Sequence, residues 1–213
     1  MEVLELKPIK NKNMTVYLIE KPKNSINSQN LRCLIDFLLT KEIKFISIDL
    51  EDRDLNNGKN ASIEKLLEEI KVPCHRVDIP EYAKGYLYEE ISQKEDQLNS
   101  LLEEYLKMPN SESIKGQNLK SWLMVLEEEI REKKALLKLK LKPMWIVKKI
   151  LDVLRTIESK EIIFVHLSIG EIFLETARLF KELNINVIAL QRTENFVAFS
   201  IITNEEEIEK WRY

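Results

Sequence analysis

Glycine is scarce in this chain, with 4 residues among 213, against a usual share of about 7%. Loops that cradle phosphates with backbone amides depend on several glycines within a short stretch. The sequence contains neither a Walker A pattern nor a G-x-S-x-G nucleophile elbow. It therefore argues against a P-loop NTPase and against a hydrolase built on a nucleophile elbow.

Cysteine and histidine are equally few, with two residues of each type. Cys33 lies on the apolar face of a predicted helix and Cys74 in a predicted strand, which favours two buried free thiols in a reducing cytoplasm over a disulfide. His75 and His166 fall at opposite ends of their predicted strands, and no C-x-x-C pair accompanies them. A zinc site is therefore not expected.

The chain also lacks a strong charge imbalance and long apolar runs. Lys and Arg number 33 against 36 Asp and Glu, a net charge of −3, which would not steer the protein to nucleic acid or an anionic membrane. No apolar run approaches the ~20 residues of a membrane span, and the N-terminus lacks the apolar core of a secretory signal. We expect a cytoplasmic protein, and its richness in Lys, Glu and Ile is typical of heat-adapted proteins.

Strand-length apolar runs alternate with segments of helical period, which predicts an open, mostly parallel, Rossmann-like α/β sheet. Successive apolar residues without alternation indicate strands buried on both faces. The last strand follows a link too short for a parallel crossover, so it is expected to return antiparallel. The predicted strands span residues 16–19, 44–50, 74–79, 161–167, 186–190 and 197–202.

Residues 83–142 interrupt this alternation. Apolar residues at helical spacing predict two helices, over 84–107 and 117–141, that form a long helical-hairpin insertion. Pro143, a residue favoured in a first turn, opens a third helix that crosses over to the fourth strand. The predicted organisation is a sheet domain of residues 1–82 and 143–213 with the hairpin inserted between them.

Parallel α/β sheets bind ligands beyond the carboxyl ends of their strands. At that edge the sequence places Lys21, Ser168, Gly170 and Arg192, whose amides, hydroxyl and positive charges suit a nucleotide or another anionic small molecule. Ser168 and Glu171 equally match a capping box that merely starts a helix. Our first hypothesis is a small-molecule-binding domain that uses these contacts.

An acidic group at the same edge supports an alternative function. Asp49, Glu51 and Asp52, joined by Asp78 from the next strand, offer the carboxylate oxygens that Mg²⁺ or Mn²⁺ prefers. With His166 as acid–base group, these residues would make a metal-dependent phosphoesterase or nuclease. The competing interpretation is a solvated loop and a histidine bonded to backbone, so the sequence leaves open whether the protein is an enzyme.

The hairpin supports a third hypothesis, a non-catalytic interaction module. Its apolar stripes exceed what one antiparallel helix pair buries unless all four of these residues are covered: Leu101, Leu119, Trp122 and Leu126. We expect a homodimer through residues 83–142 if a surplus remains. By default, Trp122 and Trp145 are predicted to pack inside the helical part.

Overall fold

The computed structural model describes residues 5–21, 28–49, 67–191 and 200–202. The chain divides into two compact units. Met1–Asp78 and Lys142–Tyr213 form the sheet domain, and Ile79–Leu141 form the hairpin unit. In chain order the elements are β1 (Asn13–Lys21), α1 (Ser28–Leu39), β2 (Ile43–Ile48), β3 (Cys74–Arg76), α2 (Glu81–Leu106), α3 (Ile114–Ala135), a π-helical segment (Leu136–Leu141), α4 (Lys142–Thr156), β4 (Glu161–Ile169), α5 (Gly170–Glu182), β5 (Asn186–Gln191) and β6 (Ser200–Ile202).

The sheet has the strand order β3-β2-β4-β1-β5-β6. β1 to β5 pair in parallel, and β6 pairs antiparallel with β5. This confirms the mostly parallel α/β sheet with an antiparallel C-terminal strand. The Rossmann order places the first strand between the second and the fourth, whereas here β4 lies between β2 and β1, so the Rossmann-like part of the prediction is not confirmed.

Both faces of the sheet are covered by helices. Phe45 and Phe164 stack at a centroid distance of 5.0 Å and share a buried cluster with residues of α4 and α5. Their strand neighbours Ile46 and Val165 point to the opposite face, where they pack with Leu38 of α1. Because successive side chains of a strand alternate between faces, a central strand covered on both sides must be apolar throughout. The unbroken apolar runs in the sequence have this cause.

The hairpin unit consists of two antiparallel helices, α2 and α3. Their small core contains Ile91, Ile130 and Leu137, with Leu98 packed beside it. Ion pairs between the helices flank this core; they join Lys94 to Glu129, Lys133 to Glu90, Lys134 to Glu95 and Lys115 to Glu104. The apolar contact is narrow, and much of each helix surface faces water.

Three sequence-based predictions need correction. Trp122 does not pack inside the helical part, because 64% of it is exposed. Cys74 is a free but exposed thiol, since β3 is an edge strand in the described sheet. The second hairpin helix stops at Ala135, and a wide π turn precedes α4. The backbone nitrogen of Pro143 carries no hydrogen, so it cannot donate to the carbonyl four residues earlier, and the proline ring crowds that turn. A π-helical segment accommodates both effects.

Within the described residues, no helix combines the length and the apolar character that a membrane crossing requires.

Candidate functional site

At one point in the sheet, between β4 and β1, the connections of two adjacent parallel strands run in opposite directions across the sheet. β1 connects through α1 on one face to β2, whereas its neighbour β4 connects through α5 on the other face to β5. The two connections therefore lie on opposite faces of the sheet and lead towards its opposite edges. Such a switch point opens a crevice beyond the carboxyl ends of the two strands. The register places Glu20 beside Ser168 and Lys21 beside Ile169 at the carboxyl ends of these two strands.

A cluster of four polar side chains lies next to the switch point, at the carboxyl ends of β2 and β4. Ser47, Asp49, His166 and Ser168 are each fully buried, with no exposed surface. They occupy alternate positions of their strands, so they point to the face covered by α4 and α5. Ser168 Oγ donates to Asp49 Oδ2 over 3.4 Å, and the Asp49 amide donates to the Leu167 carbonyl over 3.3 Å. We call these four residues the polar cluster.

His166 is held by Ser47 on the neighbouring strand. The Ser47 hydroxyl donates to the Val165 carbonyl over 3.2 Å, which uses its single proton. His166 Nδ1 lies 3.0 Å from Ser47 Oγ and 3.3 Å from the Ser47 carbonyl oxygen. Nδ1 must therefore carry the ring proton and donate to Ser47. In this tautomer Nε2 is an acceptor, and no described residue donates to it.

Burial sets the charge of His166. It lowers the pKa of His166 to about 4, and the hydrogen bond to the Ser47 carbonyl offsets only part of this effect. The ring is therefore neutral near pH 7. A neutral imidazole with a bare Nε2 can accept a hydrogen bond, or a proton from a sufficiently acidic group.

Ser47 was missed by sequence reasoning, although one signal marks it. It is the lone polar residue in the apolar run Phe-Ile-Ser-Ile of β2. A single serine in a strand buried on both faces requires a hydrogen-bond partner. That partner, His166, is 119 positions away in the sequence, so only the pairing of β2 with β4 reveals it.

Glu20 lies over the first residue of α5. A side chain added at Gly170 would collide with the Glu20 carboxylate, so Gly170 leaves room for it. A carboxylate at a helix N-terminus is stabilised by the partial positive charge of the helix dipole. The position predicted to hold an anionic ligand is thus approached by a carboxylate of the protein itself.

The residues proposed for a metal site are not gathered into one in the described part of the chain. Asp78 Oδ1 lies 3.4 Å from Lys142 Nζ, and both side chains are almost fully buried. Within that part, no group of three or more His, Cys, Asp or Glu residues is arranged to hold a metal ion. Glu51, Asp52 and Arg192 lie outside the described residues, and for Lys21 only the backbone position at the end of β1 is described.

Comparison with known proteins does not assign this chain to a family. No family model, no curated protein and no solved structure matches the chain.

Proposed function

We propose that the sheet domain binds a small anionic molecule, such as a nucleotide, beyond the carboxyl ends of β1 and β4. The observation that carries this proposal is the fully buried polar cluster beside the switch point. Its location follows a general rule for open α/β sheets, and the choice of ligand depends on the chemistry of the site rather than on the fold.

The energetic cost of the polar cluster supports a binding role. Burying a polar atom without a hydrogen-bond partner costs about 1–3 kcal/mol, and His166 Nε2 has no partner among the described residues. Strand ends that served stability alone would be filled with apolar side chains. A polar cluster kept at this cost favours a functional role for the adjoining edge of the sheet.

The negative charge of Glu20 affects how the anionic part of the ligand can bind. Phosphate groups bind readily at helix N-termini, but Glu20 lies at the N-terminus of α5. An incoming anion must therefore displace this carboxylate or bind against its repulsion. Removing the charge at Glu20 should tighten the binding of an anion and weaken the binding of a cation.

Thermal unfolding of the full chain with inorganic phosphate, AMP and ATP tests the proposal. We expect at least one of these probes to raise the melting temperature in a concentration-dependent way. Glu20→Gln should increase this shift by removing a repulsive charge, and Ser168→Ala should decrease it by removing a polar group from the site. The matched control is Ser159→Ala, because Ser159 precedes the amino end of the same strand, where its Oγ donates to the Glu161 carbonyl.

The outcomes separate clearly. A shift that grows with Glu20→Gln, falls with Ser168→Ala and is unchanged by Ser159→Ala supports an anion site at the switch point. The absence of a shift with all three probes contradicts the proposal. So does a shift that none of the three substitutions alters.

A second candidate function is interaction with another protein chain through the hairpin unit, and we propose self-association. The observation that favours it is the exposure of large apolar side chains on α3, including 64% of Trp122 and 80% of Ile114. Contiguous exposed apolar surface is typical of interfaces. Light scattering on the full chain at micromolar concentration tests this function, and a mass equal to one 25.2 kDa chain would contradict it.

A further inference from the structure

The polar cluster is fully buried, so a ligand at the carboxyl edge of the sheet can reach it only where a covering element moves. The cluster points to the face that α4 and α5 cover. The start of α5 is fixed by the chain, because Gly170 directly follows the last residue of β4. α4 has no such tie to a strand, since Lys142 follows the π-helical segment. Of these two helices, α4 is therefore the one whose start can separate from the sheet.

The start of α4 lies at the same edge of the sheet as the polar cluster. The Val77 amide donates to the Ile48 carbonyl over 3.0 Å, which continues the β2–β3 register by one residue and places Val77 beside Asp49. Asp78 is the next residue, and its Oδ1 lies 3.4 Å from Lys142 Nζ. The first residue of α4 is thus joined to the chain one position beyond the neighbour of Asp49.

Packing and charge both hold the start of α4 in place. Ile146 and Val147 have no exposed surface and belong to the same hydrophobic core as Val77. The ion pair is buried as well, because the side chains of Asp78 and Lys142 are only 9% and 11% exposed. A buried ion pair contributes little net stability compared with apolar side chains, because both charges lose their hydration. Both regain it when the pair separates, which offsets part of the cost of separation.

We propose that residues 142–147, at the start of α4, are a cover over the polar cluster and that the ion pair between Asp78 and Lys142 is its latch. With the pair formed, the cluster is closed to water and to ligands. With the pair separated, the cover moves away from the sheet and the cluster opens towards the carboxyl edge. The use of this opening rests on the ligand site proposed above, because it admits the ligand to the buried side chains.

Hydrogen exchange of the full chain under native conditions, followed by NMR, tests the cover. The reporter protons are the Nδ1 proton of His166 and the amide protons of Ile146 and Val147. We expect them to exchange through a local opening that depends little on low concentrations of urea, because such an opening exposes little surface. The amides of Val16 and Phe164, central residues of two paired strands, should require global unfolding and depend strongly on urea.

Substitutions at the latch test the ion pair. Lys142→Met keeps most of the aliphatic side chain but removes the charge opposite Asp78. It should speed the exchange of the reporter protons about tenfold or more, because removing one partner of a buried ion pair favours hydration of the other. Asp78→Asn should act in the same way. The double variant should speed exchange by much less than the product of the two single effects, because the two side chains act as one unit.

The matched control is Arg155→Met. It removes an ion pair to Asp152 on the same helix, in which both side chains are largely exposed. Exposed ion pairs contribute little, so the exchange of the reporter protons should stay unchanged.

Reporter protons that depend on urea as steeply as the amides of Val16 and Phe164 overturn the cover. This result comes from the unchanged protein, so it stands even where a variant fails to fold. Single variants at the latch that leave exchange unchanged overturn the latch, as does an equal effect of Arg155→Met or a double variant that equals the product of the single effects. Ligand binding is measured separately, by the melting temperatures with phosphate, AMP and ATP. Failure of the cover therefore leaves the proposed ligand site standing, and failure of binding leaves the local opening standing.

Discussion

His166 lies wholly inside the sheet domain, where its ring meets Phe180 edge-on at a centroid distance of 6.2 Å and its Nδ1 is held by Ser47. The ring has no exposed surface, and burial away from water disfavours the charged imidazolium. The folded protein therefore favours the neutral form of the ring. In the unfolded chain the ring can take up a proton freely, so acid should lower the stability of the folded protein.

The first prediction concerns how the stability of the protein depends on pH. The pKa of His166 is about 4 when folded and 6.5 as the ordinary value, so the unfolded state binds the extra proton between these limits. The contribution to stability is complete above pH 6.5 and is lost as the pH falls towards 4. Its full size is about 3 kcal/mol, from about 1.4 kcal/mol per pKa unit. Urea unfolding at about pH 7 and about pH 4.5 should reveal most of this loss.

Substitution of each histidine checks the assignment. His166→Gln lowers stability at neutral pH but should remove much of the loss between these two pH values. His75→Gln should retain that loss, because His75 is only partly buried and packs edge-on against Phe45 at 5.5 Å. Equal acid dependence in the unchanged protein and in His166→Gln would refute the assignment.

The sequence predicted the place of Asp49, His166 and Ser168, because residues that follow or end buried parallel strands share one edge of the sheet. It did not predict the role of Ser47. Whether a polar residue inside a strand has a partner depends on which strand lies beside it, and that is a property of the tertiary fold. The contact of Glu20 with Gly170 was missed for the same reason.

At the scale of elements, local chemistry accounts for the end of α5 but not for the length of β3. Asn184, which follows α5, adopts the left-handed conformation with φ of 59°, and the next amide, of Ile185, donates to the Phe180 carbonyl over 3.0 Å. β3 spans only Cys74–Arg76 instead of 74–79, because β2, its neighbour, ends at Ile48. Strand length is set by the partner as well as by the sequence.

The hairpin turn gives the second prediction. The amide of Gly116 donates to Ser113 Oγ over 3.1 Å at the start of α3. A Cβ at Gly116 would lie 2.7 Å from the Ser111 carbonyl carbon and 2.9 Å from its Cα. Backbone atoms cannot step aside as a side chain can, so Gly116→Ala should lower the free energy of unfolding by about 1–3 kcal/mol.

Gly85 offers the matched control. It lies within α2, and a Cβ there would meet nothing within 4 Å. Gly85→Ala should raise the free energy of unfolding by about 0.5–1 kcal/mol, because alanine favours the helix more than glycine does. Urea unfolding of the two variants should therefore give changes of opposite sign. Changes of the same sign would contradict the steric argument at Gly116.

At the scale of the whole molecule, fold class follows from the sequence and strand order does not. Alternating apolar strands and amphipathic helices require a sheet covered on both faces. The position of β4 between β2 and β1 depends on which side each crossover takes, and no local pattern encodes that choice. The switch point, and with it the site, is visible only once this order is known.

Amide NMR of the full chain titrated with ATP tests most directly whether a ligand binds beyond the carboxyl ends of β1 and β4. We expect saturable shifts at four amides, those of Lys21, Asp49, Ser168 and Gly170. The amides of Asn13 and Glu161, paired at the amino ends of the same two strands, should stay in place. The absence of saturable shifts, or shifts centred on Asn13 and Glu161 or on the hairpin unit, would contradict it.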